Sequence, residues 1–493
     1  MTALRVACGI SVGALALLAW EIAGRVAFPY ALEWQEAAML EHSLRVAAGE
    51  ALYVEPSPSF APFPYPPLFH WLGATATALL GPTLPALRMV SVLSTVAVLG
   101  CVFALARRRG GAPAGLIASG VLAAAYTFTG QWLDVARVDA LALALMAATL
   151  LVATSGPALR GSIGAGVAAG LLACLAVLAK QIALPFAAAL ALGLAVRAVS
   201  RRAGIAMALA TAGSVGASVL WLENASDGWF LFTTVDVLAG SPWHGPAVLG
   251  FWWECAVPFA PILVLFAVGR ETRGERPEDR GPDAPEPVSP ALALGLVALV
   301  LVAWAGRAHE GGVRNTLLPA ALAGALVAGP AAARAARLRP RVTALWVVAL
   351  FGVLLLAYPR SPRPSAADRA EAERLVQRIE SLDGPVWQPH GAVDPAVSGG
   401  VHAMTINDLL KSRESDAARR FVDALRSELE ARRYAGVVLG VEPAEWADLE
   451  ALWASYAVAE RLDDVARGNE PEHVPFTPPT GAPRRPRVLL LPR

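Results

Sequence analysis

The sequence predicts a mainly α fold: a polytopic α-helical membrane bundle of about eleven spans plus interfacial helices, with a small C-terminal soluble α/β domain. Three observations carry that expectation. Hydrophobic residues make up 56% of the 493-residue chain and charged residues only 16%, where soluble domains average roughly 25% charged. Apolar runs long enough to cross a bilayer recur from residue 5 to residue 358. Beyond residue 360 the pattern turns to charged, amphipathic segments. The composition also excludes some functions. A net charge of +1 supplies no basic field for nucleic acid. Cys8, Cys101, Cys174 and Cys255 all lie in apolar segments without zinc or redox spacing, and read as small core residues.

The N-terminal stretch 4-LRVACGISVGALALLAW-20 has the charge-then-apolar order of a signal peptide. Its apolar run extends nearly to Phe28 with no A-x-A site after it, so it reads as an uncleaved first span, 5–28. Further apolar helices are expected at 67–82, 85–106, 111–129, 138–155, 163–179, 182–199, 203–222, 251–269, 289–306, 315–330 and 342–358. The stretch 270–290 is charged and Pro-rich and cannot be buried in lipid. After it, 366-AADRAEAERLVQRIESL-382 is amphipathic, PVWQP and 434-YAGVVLGV-441 read as strands, and 443–456 reads as a helix. The chain therefore divides into a membrane domain, 1–360, and an extracytoplasmic soluble α/β domain, 361–493.

Arginine sets the sidedness, because basic loops stay cytoplasmic. Arg107 to Arg109, Arg160, Arg197 to Arg202, Arg270 to Arg280 and Arg334 to Arg341 fall on every second connection. The alternate turns, 130–138, Lys180, 223–250 and 307–314, are then outside, and 223–250 contains no Lys or Arg. Parity leaves one segment over. Arg5 holds the N-terminus inside, so 29–66 is outside, yet 85–106 must also start outside. Helix 67–82 is short, about 24 Å against the roughly 30 Å hydrocarbon core. It is expected to lie shallow in the outer interface, leaving the C-terminal domain outside.

Under this topology the unusual polar residues share one face. The first outer loop carries Glu33 and Glu36, three apart and on one side of a helix if the segment is helical. The next carries Asp134, Arg137 and Asp139, then comes Lys180, and the loop at 307–315 carries Arg307, His309, Glu310, Arg314 and Asn315. Of 41 basic residues only Lys180 and Lys411 are lysine. A compact ammonium with three donors suits a phosphate or carboxylate. Carboxylates beside Lys and Arg at a membrane-level cavity point to acid–base chemistry next to an anionic leaving group. The plainer roles are helix caps for the acids, snorkelling for Lys180 and lipid-headgroup contact for Arg314.

An ordered set of motifs adds a resemblance: Glu33 and Glu36, Gly49 with Leu52-Tyr53, Tyr65-Pro66-Pro67-Leu68, Arg137 with Asp139, Lys180-Gln181 and Arg314-Asn315. Over residues 1 to about 330 it resembles the C-type (GT-C) membrane glycosyltransferases, among them protein O-mannosyltransferases and bacterial aminoarabinose transferases. The resemblance implies a multi-pass protein of the cell inner membrane and a sugar donor carried on polyprenyl phosphate, entering from the bilayer. It implies a glycan, lipid or protein acceptor arriving at the extracytoplasmic face. The first-loop acid would be the general base, with Glu33, Glu36 and Asp139 as the catalytic candidates. Lys180, Arg137, Arg314, Asn315, His309 and Tyr65 are the substrate-binding candidates. No cofactor and no metal are expected. The family's first-loop acid is usually Asp, often Asp-Glu; here the segment is Glu33-Trp34-Gln35-Glu36, so both glutamates stay open as the base. A transporter, which would show repeats with broken midplane helices, and a catalytically inactive membrane scaffold are the alternatives.

Overall fold

The computed structural model describes residues 2–240, 242–269, 288–356, 363–391, 394, 401–411, 415–441, 450–462 and 486–493. Its first part is a succession of apolar helices: α1 (Thr2–Arg25), α2 (Glu36–Ala47), α3 (Leu68–Leu80), α4 (Leu84–Ala124), α5 (Val138–Ala153), the short α6 (Gly156–Leu159), α7 (Ile163–Ala179), α8 (Ala183–Ala195) and α9 (Arg201–Ala225). The connection after α9 is itself helical, with α10 (Trp229–Leu231), a π-turn over Phe232–Asp236 and α11 (Val237–Ala239). Then follow α12 (Gly245–Val268), α13 (Pro290–Ala308), a 3₁₀ turn over Arg314–Leu317, α14 (Leu318–Leu338) and α15 (Pro340–Leu356).

The expected 85–106 and 111–129 form one assigned element, α4, broken in the middle. Gly110 (φ −158°, ψ 17°) and Gly111 (φ 74°, ψ −176°) leave helical geometry there, which only a residue without Cβ does cheaply at positive φ. The break follows Arg107 to Arg109, so the basic turn lies where the chain reverses. Between apolar helices in lipid there is little hydrophobic drive, and close backbone approach carries the packing. Gly329 of α14 shows this: a Cβ there would sit 2.2 Å from the Ala114 carbonyl oxygen of α4. Likewise, α12 is bent by 47° just ahead of Pro258, which lacks the N–H the helix needs.

Eleven crossings were expected. Among the described residues five helices are long and apolar enough to cross, or six if the bent α12 is one span. The others stop short: α8 has 13 residues and α5 has 16, below the roughly 20 that a core of about 30 Å requires. They end early because the segments between them, such as 125–137 and 180–182, are irregular and polar. Such backbone is tolerated at depth where protein encloses it, and residues 130–140 are buried without exception. Helix α3, 13 residues long, is among the short ones.

The described residues from 363 onward build a different unit around a four-stranded sheet in the order β1 (Val386–Trp387), β2 (Gly436–Leu439), β4 (Val488–Pro492), β3 (Tyr456–Arg461). β1 and β2 are parallel, and β4 is antiparallel to both of its neighbours. The helices are α16 (Ala366–Glu380), opened by a Ser365–Asp368 capping box, α17 (Ala403–Lys411), α18 (Asp416–Glu430) and α19 (Glu450–Ser455). On α18 Phe421, Leu425 and Leu429 recur every four residues and are buried, each contributing about 1.5–3 kcal/mol of burial. The helix expected at 443–456 is seen as α19; its first residues, like most of the 270–290 loop, lie outside the described residues.

Candidate active site

The loop over residues 26–36 is held from the side of α4. Arg88, fully buried on α4, donates to both oxygens of Glu36, from Nε to Oε1 at 2.9 Å and from Nη2 to Oε2 at 2.7 Å. It also donates to the carbonyls of Tyr30, at 2.6 Å, and Phe28. The two Glu36 oxygens accept the backbone N–H of Ala136 and of Leu32 as well, at 2.7 and 2.6 Å. Burial pushes the Glu36 carboxyl pKa up, but Arg88 and these donors outweigh it, and the net direction is down. Glu36 is an ionised post that ties together loop 26–36, α4 and residue 136. All four donors point at its two oxygens, which leaves none for a substrate proton.

Glu33 is buried too, but differently engaged. Its Oε2 accepts from Arg137 Nη1 at 3.0 Å and from the Gln35 N–H at 2.9 Å, while Oε1 has no hydrogen-bond partner among the described residues. Burial raises the pKa to about 7; Arg137 and the Gln35 N–H pull it back only in part. A carboxyl that titrates near neutrality with one oxygen uncommitted is chemically suited to take up a proton.

Arg137 caps the start of α5 in an extended conformation (φ −139°, ψ 157°). Its Nη2 donates to the Tyr65 hydroxyl at 2.8 Å. The guanidinium lies over the Tyr65 and Trp132 rings, 5.6 and 5.0 Å from their centroids, a contact that favours the cation. Asp139, in the first turn of α5, accepts through Oδ1 from Lys180 Nζ at 2.6 Å and from Asn315 Nδ2 at 3.0 Å. Its Oδ2 and Asn315 Oδ1 have no hydrogen-bond partner among the described residues. Lys180 leaves α7 in an extended conformation, and its side chain keeps 12% of its surface accessible. Beside it, Gln181 donates to the carbonyls of Pro64 and Thr234 at 2.9 and 3.1 Å. Segments 30–36, 64–65, 130–139, 180–181, 233–237 and 314–317 thus meet at one end of the bundle.

Two candidates turn away from this cluster. Arg314 is 60% exposed and approaches Glu254 at 3.9 Å, which Arg307 holds at 2.9 Å. The His309 ring lies against Trp243 at 4.4 Å, where the two residues form a β-bridge. From that loop Asn315, not its charged neighbours, reaches Asp139. Proximity in sequence fixed the end of the bundle but not which side chain turns inward.

The sequence reading missed the supports. Arg88 is one; a lone arginine inside the apolar run 84–106 was the available signal. The other is a fully buried pair, Arg25 with Asp134 at 2.8 Å, extended by Arg25 to Gln131 Oε1 and by the Tyr126 hydroxyl to Asp134, both 2.8 Å. Their partners lie 52 to 109 residues apart, a distance no local pattern spans.

The model of the dolichyl-phosphate-mannose-protein mannosyltransferase family matches residues 64–222. Among solved structures, ArnT from Cupriavidus metallidurans in the apo state superposes with a TM-score of 0.60 at 15% identity, covering 97% of this chain and 96% of that one. The same protein bound to undecaprenyl phosphate gives 0.58 at 15% identity, covering 98% of each chain. No curated protein sequence matches the chain. The family segment holds Tyr65, Arg137, Asp139 and Lys180, and the fold likeness runs nearly end to end. The chain therefore shares the fold of ArnT over nearly its whole length and matches the mannosyltransferase family model over the part that carries these residues.

Proposed function

We propose that the protein transfers a sugar from a polyprenyl-phosphate donor to a hydroxyl-bearing acceptor at the extracytoplasmic face of the inner membrane. The observation that carries this reading is the pair of buried clusters at one end of the bundle. Glu33 with Arg137 offers a carboxylate oxygen with no hydrogen-bond partner among the described residues, and Asp139 with Lys180 and Asn315 offers an ammonium still partly accessible. The undecaprenyl phosphate bound to the ArnT neighbour supports the choice of donor. The arginine pattern supports the outward face and, with the α4 break counted as a reversal, the eleven crossings.

In this scheme Glu33 Oε1 takes the proton of the acceptor hydroxyl as the acceptor oxygen bonds to the anomeric carbon. The bond from that carbon to the phosphate oxygen breaks, and its electron pair leaves on the polyprenyl phosphate. Lys180 has donors to spare beyond Asp139 and meets that charge; Arg314, exposed at the rim, adds to the field. Asp139 and Asn315 orient Lys180, and Tyr65 and Trp132 hold Arg137, which keeps the Glu33 carboxylate in place. Glu36 has a structural role. No nucleic acid enters this reading. The test is release of undecaprenyl phosphate from undecaprenyl-phosphate mannose by the purified protein in nanodiscs, with a panel of such lipid-linked sugars run alongside. No release from any of them, with the protein folded, would turn the reading toward the inactive scaffold.

A further inference from the structure

The loop that carries Glu33 is gripped from a second side, by the region after residue 363. His402 Nε2 lies 3.1 Å from the Trp34 carbonyl oxygen, and His402 Nδ1 accepts the Met404 N–H at 3.1 Å. A carbonyl only accepts, so the ring is neutral with its proton on Nε2. The ring also packs against Trp34, tilted by 57° with centroids 4.6 Å apart, and meets Phe63 edge-on at 5.3 Å. Gln35 Nε2 donates to the Met404 sulfur at 2.8 Å. Gly391, at φ +99°, passes so close that a Cβ would fall 2.1 Å from the Trp34 carbonyl oxygen. Around these contacts Ala61 and Val237, with Trp34 and Phe232 packed alongside, join the apolar cluster of Trp387, Val401, Ile406 and Leu409. Exposed ion pairs at the edge, Arg420 with Glu55 and Lys411 with Glu310, add little.

These contacts fall on the two residues that follow Glu33, and the Gln35 N–H is itself one of the two donors on the Glu33 carboxylate. We propose that the C-terminal region is the positioning element of the candidate base: His402, with Met404 and Gly391, locks Trp34 and Gln35 so that Glu33 presents Oε1 in register with the site. The proposal rests on Glu33 as the base. From below, Arg88 fixes the loop through Glu36; from above, His402 fixes it through Trp34. Held at one side only, the carboxylate would wander by the order of an ångström, which costs about 100-fold in a positioned reaction.

The experiment uses the full chain in nanodiscs. His402→Phe keeps a ring and loses the donor; His402→Gln keeps a donor near the Nε2 position; Gly391→Ala forces the segments apart. Hydrogen exchange of peptides covering residues 30–36, and the pH midpoint of carbodiimide labelling at Glu33, need no donor substrate. Transfer from undecaprenyl-phosphate mannose gives kcat and KM separately. The expected result is faster exchange confined to residues 30–36 and a displaced labelling midpoint in His402→Phe and Gly391→Ala. kcat should fall on the order of 10–100-fold with the donor KM unchanged, and His402→Gln should restore most of it. Unchanged exchange and labelling, or a Gln variant as impaired as the Phe variant, would overturn the proposal. So would normal kcat with a loosened loop. Normal transfer by Glu33→Gln would instead remove the base assignment, while the exchange data still report whether His402 grips the loop.

Discussion

Glu33 and Glu36 lie three residues apart, both buried, and the structure predicts opposite consequences for the same isosteric change. In Glu36→Gln an amide NH₂ replaces one of two oxygens that together receive four donors. Wherever that NH₂ points, it faces both an Arg88 nitrogen and a backbone N–H. Breaking a buried pair on one side costs about 3–5 kcal/mol because the remaining charge is uncompensated, and a stranded backbone donor adds about 1–3 kcal/mol. Glu33→Gln loses less. Its carboxyl, with a pKa of about 7, carries only part of its charge at neutral pH; Arg137 keeps the Tyr65 hydroxyl and the nearby Asp139 charge. The activity cost should fall the other way: loss of a general base lowers the rate by about 10²–10⁴. The assay is thermal unfolding in nanodiscs beside transfer from an undecaprenyl-phosphate sugar. Glu36→Gln should unfold well below the parent, and Glu33→Gln should unfold close to it while losing transfer. A stable, inactive Glu36→Gln paired with an active Glu33→Gln would refute the assignment.

The same carboxyl sets a pH dependence: kcat/KM should rise about tenfold per unit up to a limb near pH 7 and lose that limb in Glu33→Gln; a limb near 4.5 would show that burial does not govern Glu33. Glu33 holds its proton more tightly folded than unfolded, so its contribution to stability should be complete below about pH 4.5 and lost as pH rises through about 7, measurable as a falling denaturant midpoint. Lys180→Ala should raise the donor KM and lower kcat together, and Lys180→Arg should be only partly tolerated, since a planar fork does not replace a compact ammonium; full activity in Lys180→Ala would take it out of the site. Arg314→Ala should be milder, because its side chain is 60% exposed and loosely paired, and a loss equal to that of Lys180→Ala would mean that Arg314 turns inward when donor binds. A reporter fused after Arg360 should be active only on the extracytoplasmic side; cytoplasmic activity would overturn the arginine argument.

Local pattern made much of this molecule legible. The segment 163–179 needed only its unbroken small and apolar residues, and the structure gives α7 over Ile163–Ala179. Sidedness brought Asp139, Lys180 and Asn315 to one end of the chain's path, and they are hydrogen-bonded there. What stayed hidden depends on partners far away in sequence. The difference between Glu33 and Glu36 lies largely in Arg88, Arg137 and the Ala136 N–H, on other segments. Arg88 was averaged away by the hydropathy of its own helix. Helix lengths were hidden for a related reason: helices α5, α7 and α8 are cut short by the loops that join them, and apolar composition does not report where a helix unwinds. Helix α18 was within reach, since Phe421, Leu425 and Leu429 have a plain four-residue spacing, but its charged surface hides the stripe on average.

The strand order of the sheet has a consequence in time. Residues 488–492 are inserted between β2 and β3, so the strand translated after all the others lies inside the sheet instead of at its edge. Until that stretch of chain has been made, β2 lacks one neighbour and β3 has none, and the segment from β1 to Gly391 has only half a sheet behind it when it reaches toward Trp34. The membrane helices precede it by more than a hundred residues and can be inserted long before. A chain partway through synthesis would hold the carboxylate, the ammonium and their buried supports, yet leave the loop around Glu33 held from one side. Chain order thus separates assembly of the lipid-facing half from closure of the site, with closure as the later event.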